Sequence, residues 1–288
     1  MVSTEVPPEL SSKFKEKALK ALGELPPFSP VLSKLLATLA REDTSFGKLG
    51  ELIESDTVVA GNVLHLVNSA AYARQTRITS VRHAISVLGV NRLRNAVLGM
   101  SVARLWKTVT MPAGWSTAQF NRHSAATAIM SDLLVQHVDA EYPEGAFIAG
   151  LLHDIGQMLV AWSLPSEYTE VMRLNAAGGA WDLCERAVLG FTHAELSRSA
   201  LAIWKLPEPV QGAVGNHHGA HAPGTVSLAR ILDTADTYAT STGFAIHPLP
   251  VSQPDQAILL ELGIPEKLAE ALAASYEIEC KAMMRFLE

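Results

Sequence analysis

Residues 150–160 read GLLHDIGQMLV, an apolar run interrupted at its centre by His153 and Asp154. The surrounding segment reads at helical period, which predicts one helix from Glu144 to Trp162. An imidazole and a carboxylate are costly to bury in such a helix unless something pairs with them. Either they hydrogen-bond across the core to neighbours, or they hold a group that offsets their desolvation.

Working outward, almost every segment reads as helix, with proline or glycine between segments. Ser11 to Leu22 is a short charged helix, ended by Gly23 and the turn Pro26-Pro27. Pro30 sits where a first-turn proline belongs and opens a helix to about Ala40. Ser45 to Glu54 follows, and Asp56 reads as the N-cap of a longer helix carrying Val59, Val63, Leu64 and Val67. Ser80 caps a helix ending at Leu88-Gly89, and Val90 to Trp106 comes next. Past the break at Met111–Gly114, helices are predicted at Thr117–His137, Pro165–Asn175, Trp181–Leu189, Thr192–Trp204 and Pro209–Asn216. Thr225–Ala239 and two C-terminal helices, the last Pro265–Leu287, complete the chain. No period-2 run marks a strand. The expectation is an all-α fold, a compact array of a dozen or so helices without internal repeats.

With 288 residues the chain has room for a substantial core, and 48% of it is hydrophobic against 18% charged. A formal charge of −6 argues against nucleic-acid or anionic-membrane partners, which call for a basic face. The opening MVSTEVPPELSSKFK shows no secretion signal, and no uninterrupted apolar run approaches the roughly 18 residues of a membrane span. Two cysteines are too few for a disulfide framework, so a reducing cytoplasm is expected.

A His-Asp dipeptide arises by chance roughly 0.3 times in a chain of this composition, so the pair alone says little. The other histidines add weight. His123 stands in FNRHSAATA on a small, apolar helix; His193 opens THAELSRSALAIW; His217-His218 form a pair just past a helix end. Asp236 lies inside LARILDTADTYA, with Asp233 one turn earlier as a competitor. Imidazoles and carboxylates without thiolates suit divalent iron or manganese, ahead of zinc. Seven ligands exceed the need of one ion and match a two-ion centre, with Asp154 as the natural bridge because its two oxygens can reach separate ions. His65 and His83 lack acidic partners one turn away and read as surface or core residues. His221, three residues beyond the pair, is left out of the set. Arg92 and Arg94 read as a solvated helix end rather than an anion site.

The order His123, His153-Asp154, Asp236 resembles the HD superfamily of metal-dependent phosphohydrolases. His193 and His217-His218 resemble the larger ligand set of its HD-GYP branch, which hydrolyses cyclic di-GMP with two or three metals. The resemblance implies one ion at His123, His153, Asp154 and Asp236 and another at Asp154, His193, His217 and His218. Two positions depart from that branch: Gln157 stands where its members carry lysine, and HHGAHAPGT has no Gly-Tyr-Pro motif.

The first half, LPPFSPVLSKLLATL followed by LIESDTVVAGNVLHLVNSAAYARQTRITSVRHAISVLGVNRLRNAVLGMSV, is similar to the HDOD domain, the HD-related output domain of bacterial signalling. The marks are Leu25-Pro26-Pro27, Asp56 ahead of a long helix, the turn Asn68-Ser69-Ala70, Leu88-Gly89 and FNRHSAATA; together they cover residues 20–220. By this analogy Asn68 is a capping or core hydrogen-bonding residue. The resemblance implies an N-terminal helix over 1–24, an HDOD domain over 25–222 and C-terminal helices over 223–288 packed on the same globule. It implies a signalling module acting through protein contacts or a nucleotide-like ligand, with a metal-dependent phosphohydrolase as the alternative.

Overall fold

Asp56 and Ser80 open their helices as caps. The Asp56 carboxylate accepts the Val58 and Val59 N–H groups at 3.0 Å, and the Ser80 hydroxyl accepts that of His83 at 3.2 Å. Asn68 closes the first of these helices. Its amide donates to the Leu64 and Ile78 carbonyls and accepts the Ile78 N–H, all at 2.7 Å, tying the helix end to the strand-less segment ahead of Ser80. Ser69 and Ala70 lie outside the described residues. The structure, a computed structural model, describes residues 6–38, 46–68, 77–107, 109–221, 226–247 and 256–286.

Among these residues there are helices and turns and no strand. The first half holds α1 (Pro8–Ala21), α2 (Pro30–Thr38), α3 (Phe46–Glu54), α4 (Thr57–Val67), α5 (Val81–Leu88) and α6 (Val90–Ala103). The second half begins with α7 (Thr117–Val135), α8 (Ala146–Leu152), α9 (Ile155–Ser163), α10 (Pro165–Ala176) and α11 (Trp181–Leu189). It continues with α12 (His193–Ile203), α13 (Glu208–Gly215), α14 (Leu228–Ala239), α15 (Ala257–Leu260) and α16 (Glu266–Met283). Helices α2 to α6 pack largely on one another, and α6 meets α8. Helix α7 is the axis of the second half, flanked by α8, α14 and α16. It is buried nearly all round, which explains a sequence of small residues on every face.

The helix expected over Glu144–Trp162 is in fact two. It breaks at His153-Asp154, where Asp154 leaves helical geometry at φ −101° and ψ 12°. A glycine on each side shows why. A side chain at Gly150 would strike the backbone of Ala128 on α7, and one at Gly156 would strike the carbonyl of His193 on α12. Each half-helix is thus pressed against a different neighbour, and the chain bends between them. The two polar residues sit at the bend. By length and mean hydropathy residues Pro143–Ser163 could cross a membrane, although polar residues interrupt the apolar run, and 94% of the window is buried inside the protein. It is the core of the fold.

Candidate metal centre

The α8–α9 bend delivers His153 and Asp154 to a point reached by four other elements. His123 comes from the middle of α7, His193 is the first residue of α12, His217 and His218 follow α13, and Asp236 comes from α14. All seven residues singled out in the sequence meet there.

Four of the rings are held through Nδ1. His123 donates to the Phe244 carbonyl at 2.9 Å, His153 to Gly150 at 2.8 Å and His217 to Val214 at 2.7 Å; His193 donates to the Glu185 carboxylate at 2.7 Å. Since these oxygens only accept, the proton lies on Nδ1, and a neutral ring presents a lone pair at Nε2. Two of these lone pairs, on His123 and His153, face each other, and that of His193 faces the Nε2 atom of His218. His123 and His153 have their Nε2 atoms 3.2 Å apart, and His193 and His218 have theirs 3.1 Å apart. Ligand nitrogens about 2.1 Å from a shared ion sit roughly 3.0–3.4 Å from each other.

Asp154 lies between the pairs. Its Oδ2 is 3.4 Å from His123 Nε2 and 3.3 Å from His153 Nε2, while Oδ1 is 3.1 Å from His193 Nε2 and 3.8 Å from His217 Nε2. Asp236 Oδ1 is 3.1 Å from His123 and 3.7 Å from His153. Donor atoms within 4.8 Å of one another form two groups, His123–His153–Asp236 and Asp154–His193–His217–His218. Asp154 Oδ1 and His217 Nε2 are buried without a hydrogen bond. Nitrogen and oxygen donors, orphaned and convergent, fit divalent metal ions.

The electrostatics call for positive charge in the cluster. Burial alone would depress the His153 imidazole, but Asp154 and Asp236 outweigh it and lift it to about 10. Burial likewise opposes protonation of His193, yet Glu185 and Asp154 hold it well above its ordinary value. Burial disfavours the charged forms of Asp154 and Asp236, but the surrounding imidazoles keep both well below the usual carboxylate range. His217 moves the opposite way, pushed down by burial and by His218, His153 and His193. The cluster keeps two carboxylates ionised and calls for compensating positive charge, from imidazolium or from ions.

Beside the donors lies a cleft of about 190 Å³, walled by Gln157, Asn175, Trp181 and His247, with no lysine or arginine among its described lining residues. Gln157 donates to Asp154 Oδ2 at 2.9 Å. Glu185 and His247 were not singled out in the sequence. Glu185 left a readable trace, because Trp181, Cys184, Glu185 and Val188 form one helical stripe and a glutamate interrupts it. His247 left none; it follows α14 in an irregular segment.

The remaining candidates separate cleanly. Asp233 pairs with His221 at 3.2 Å, so Asp236 is the α14 carboxylate that faces His123. His65 and His83 are exposed. Arg92 and Arg94 are more engaged than a solvated helix end: Arg92 pairs with Glu279 of α16 at 2.9 Å, and half-buried Arg94 feels Asp132 and Glu144.

An all-helical protein folded round a buried histidine–aspartate cluster belongs to the class the HD-type proteins define. The chain is a member of the HDOD family, whose domain matches residues 25–220. Among solved structures it is similar to an HDOD domain protein from Geobacter sulfurreducens, with TM-score 0.73 and 21% identity over 96% of this chain and 97% of that one. A candidate phosphohydrolase from Shewanella amazonensis gives TM-score 0.71 at 24% identity, covering 94% and 98%. A candidate signal transduction protein from Marinobacter aquaeolei gives 0.73 at 22%, covering 99% and 67%. A Treponema pallidum protein is 21% identical over 217 residues; the match takes in 74% of this chain but only 41% of that relative.

Proposed function

We propose that the chain is a bacterial, cytoplasmic signalling module of the HDOD family that holds two divalent ions at His123, His153, Asp154, His193, His217, His218 and Asp236. Residues 25–222 form the HDOD domain, with 1–24 and 223–288 as helical flanks on the same globule. The observation that carries the reading is the facing of Nε2 atoms, two pairs of them, on either side of one carboxylate. With neutral rings, His123 and His153 repel each other unless a cation lies between them. Asp154 would serve both ions, His123, His153 and Asp236 one of them, and His193, His217 and His218 the other. Iron or manganese is favoured over zinc by the donor set. The similarity to a candidate signal transduction protein supports signalling partners, and the cleft supports a small ligand.

A second reading, a metal-dependent phosphohydrolase, is favoured by the cleft beside the donors and by the likeness to a candidate phosphohydrolase. Bound ions would supply Lewis acidity and an activated water. The chain's own residues limit what could react. The described wall of the cleft is uncharged away from the donors, formed by Gln157, Asn175, Trp181 and His247. Gln157 is spent on Asp154 and carries no charge, so a dianionic dinucleotide meets no lysine or arginine among the described lining residues. The expectation is little turnover of cyclic di-GMP and weak or no metal-dependent turnover of a small artificial phosphodiester. A hydrolysis panel run with wild type and Asp154→Ala tests this. Robust cyclic di-GMP hydrolysis that disappears in the variant would overturn the module in favour of the enzyme.

A further inference from the structure

Six residues close a ring round the cleft. Asp154 accepts from Gln157 at 2.9 Å, and Gln157 Oε1 accepts from His247 at 3.3 Å. His247 stacks on Trp181 with ring centroids 4.1 Å apart and planes 15° from parallel. Trp181 Nε1 donates to Glu185 Oε1 at 3.0 Å, Glu185 Oε2 accepts from His193 Nδ1 at 2.7 Å, and His193 Nε2 returns to Asp154 Oδ1 at 3.1 Å.

Glu185 is the one carboxylate of this ring with no proposed ligand role. It is 1% exposed, and a second hydrogen bond to Oε2, from the His193 backbone N–H at 2.7 Å, fixes it further. One oxygen of a rigid, planar group thus orients a ligand ring while the other orients the aromatic wall. A carboxylate behind a ligand histidine sets its tautomer, its direction and its basicity. We infer that Glu185 is a positioning residue that makes ion binding at His193 and the placement of the Trp181–His247 wall one coupled event. This rests on the two-ion reading. A residue that merely started α12 would affect folding without distinguishing the two ions.

The test is titration of the chelator-stripped full chain with Zn²⁺, a diamagnetic probe that does not itself quench tryptophan, followed by calorimetry and fluorescence. Wild type should show two binding steps and a fluorescence change. Trp181→Phe should keep both steps and lose the change. Glu185→Gln should weaken one step by about 10- to 100-fold, leave the other within a few-fold, and lose the fluorescence change although Trp181 remains. Glu185→Asp, one methylene shorter, should retain more affinity for that step than Glu185→Gln. Two steps in wild type with both unchanged or both equally weakened in Glu185→Gln would overturn the inference alone. Loss of helical circular dichroism in both Glu185 variants would assign the residue to folding and overturn it as well. A wild type that binds no Zn²⁺ would overturn the two-ion reading and the inference with it.

Discussion

Asp154 offers one oxygen to each half of the cluster, so its loss should be felt by both halves. Asp154→Ala is expected to lose most of its metal. His221→Ala, whose ring pairs with Asp233 outside the donor groups, should keep it. Metal analysis of the two variants purified side by side without chelators checks this, and equal loss in both would erase the distinction between ligand and neighbour. The halves should also separate. His123→Ala and His217→Ala each remove a donor from a different group, so each should keep roughly half the metal of wild type, where loss of everything in both would mean a single shared site. The types and order of these residues were legible in the sequence, because imidazole and carboxylate in apolar helices are conspicuous. The choice between Asp233 and Asp236 was not. They lie three apart on one helix and share a face, and only the position of His221 and His123 decides between them. Glu185 is eight residues from the ring it holds, and its partner could not be found without the fold.

At the level of the helices, two close contacts build the site. Helix α9 lies so near α12 that Gly156 has no room for a side chain, and the atom it would meet is the backbone carbonyl of His193. A backbone atom cannot rotate aside. Gly156→Ala should therefore destabilise the protein by about 1–3 kcal/mol, as overpacked cores do, and displace the start of α12 along with His193. Gly212→Ala on α13 is the control, since nothing lies within 4 Å of the added methyl. It should be neutral or stabilise by about 0.5–1 kcal/mol through helix propensity. Urea denaturation of both variants measures the contrast, and equal midpoints would contradict the packing argument. Caps were readable from sequence, as Asp56 and Ser80 show, because a cap acts on the next three residues. The bend at His153-Asp154 was not, because apolar periodicity passes straight through it. Periodicity reports which face is buried; whether the axis turns depends on what Gly150 and Gly156 touch in distant parts of the chain.

Across the whole molecule, the donors come from α7, the α8–α9 bend, α12, the end of α13 and α14, so the complete set exists only when these elements are assembled. Ions bound there favour the folded state by mass action, worth about 2.7 kcal/mol for one site at a hundredfold excess over Kd. Removing them with a chelator should lower Tm by roughly 5 °C or more in a chain of this size, and should leave the Tm of Asp154→Ala nearly unchanged. Unchanged melting of the wild type would contradict that link between centre and fold. Everything above depends on the cluster being a metal centre rather than a polar core of hydrogen-bonded histidines. Elemental analysis of freshly purified protein, never exposed to chelator, tests this most directly. The account predicts about two ions per chain, iron or manganese, and less than about a tenth of an ion per chain would contradict it.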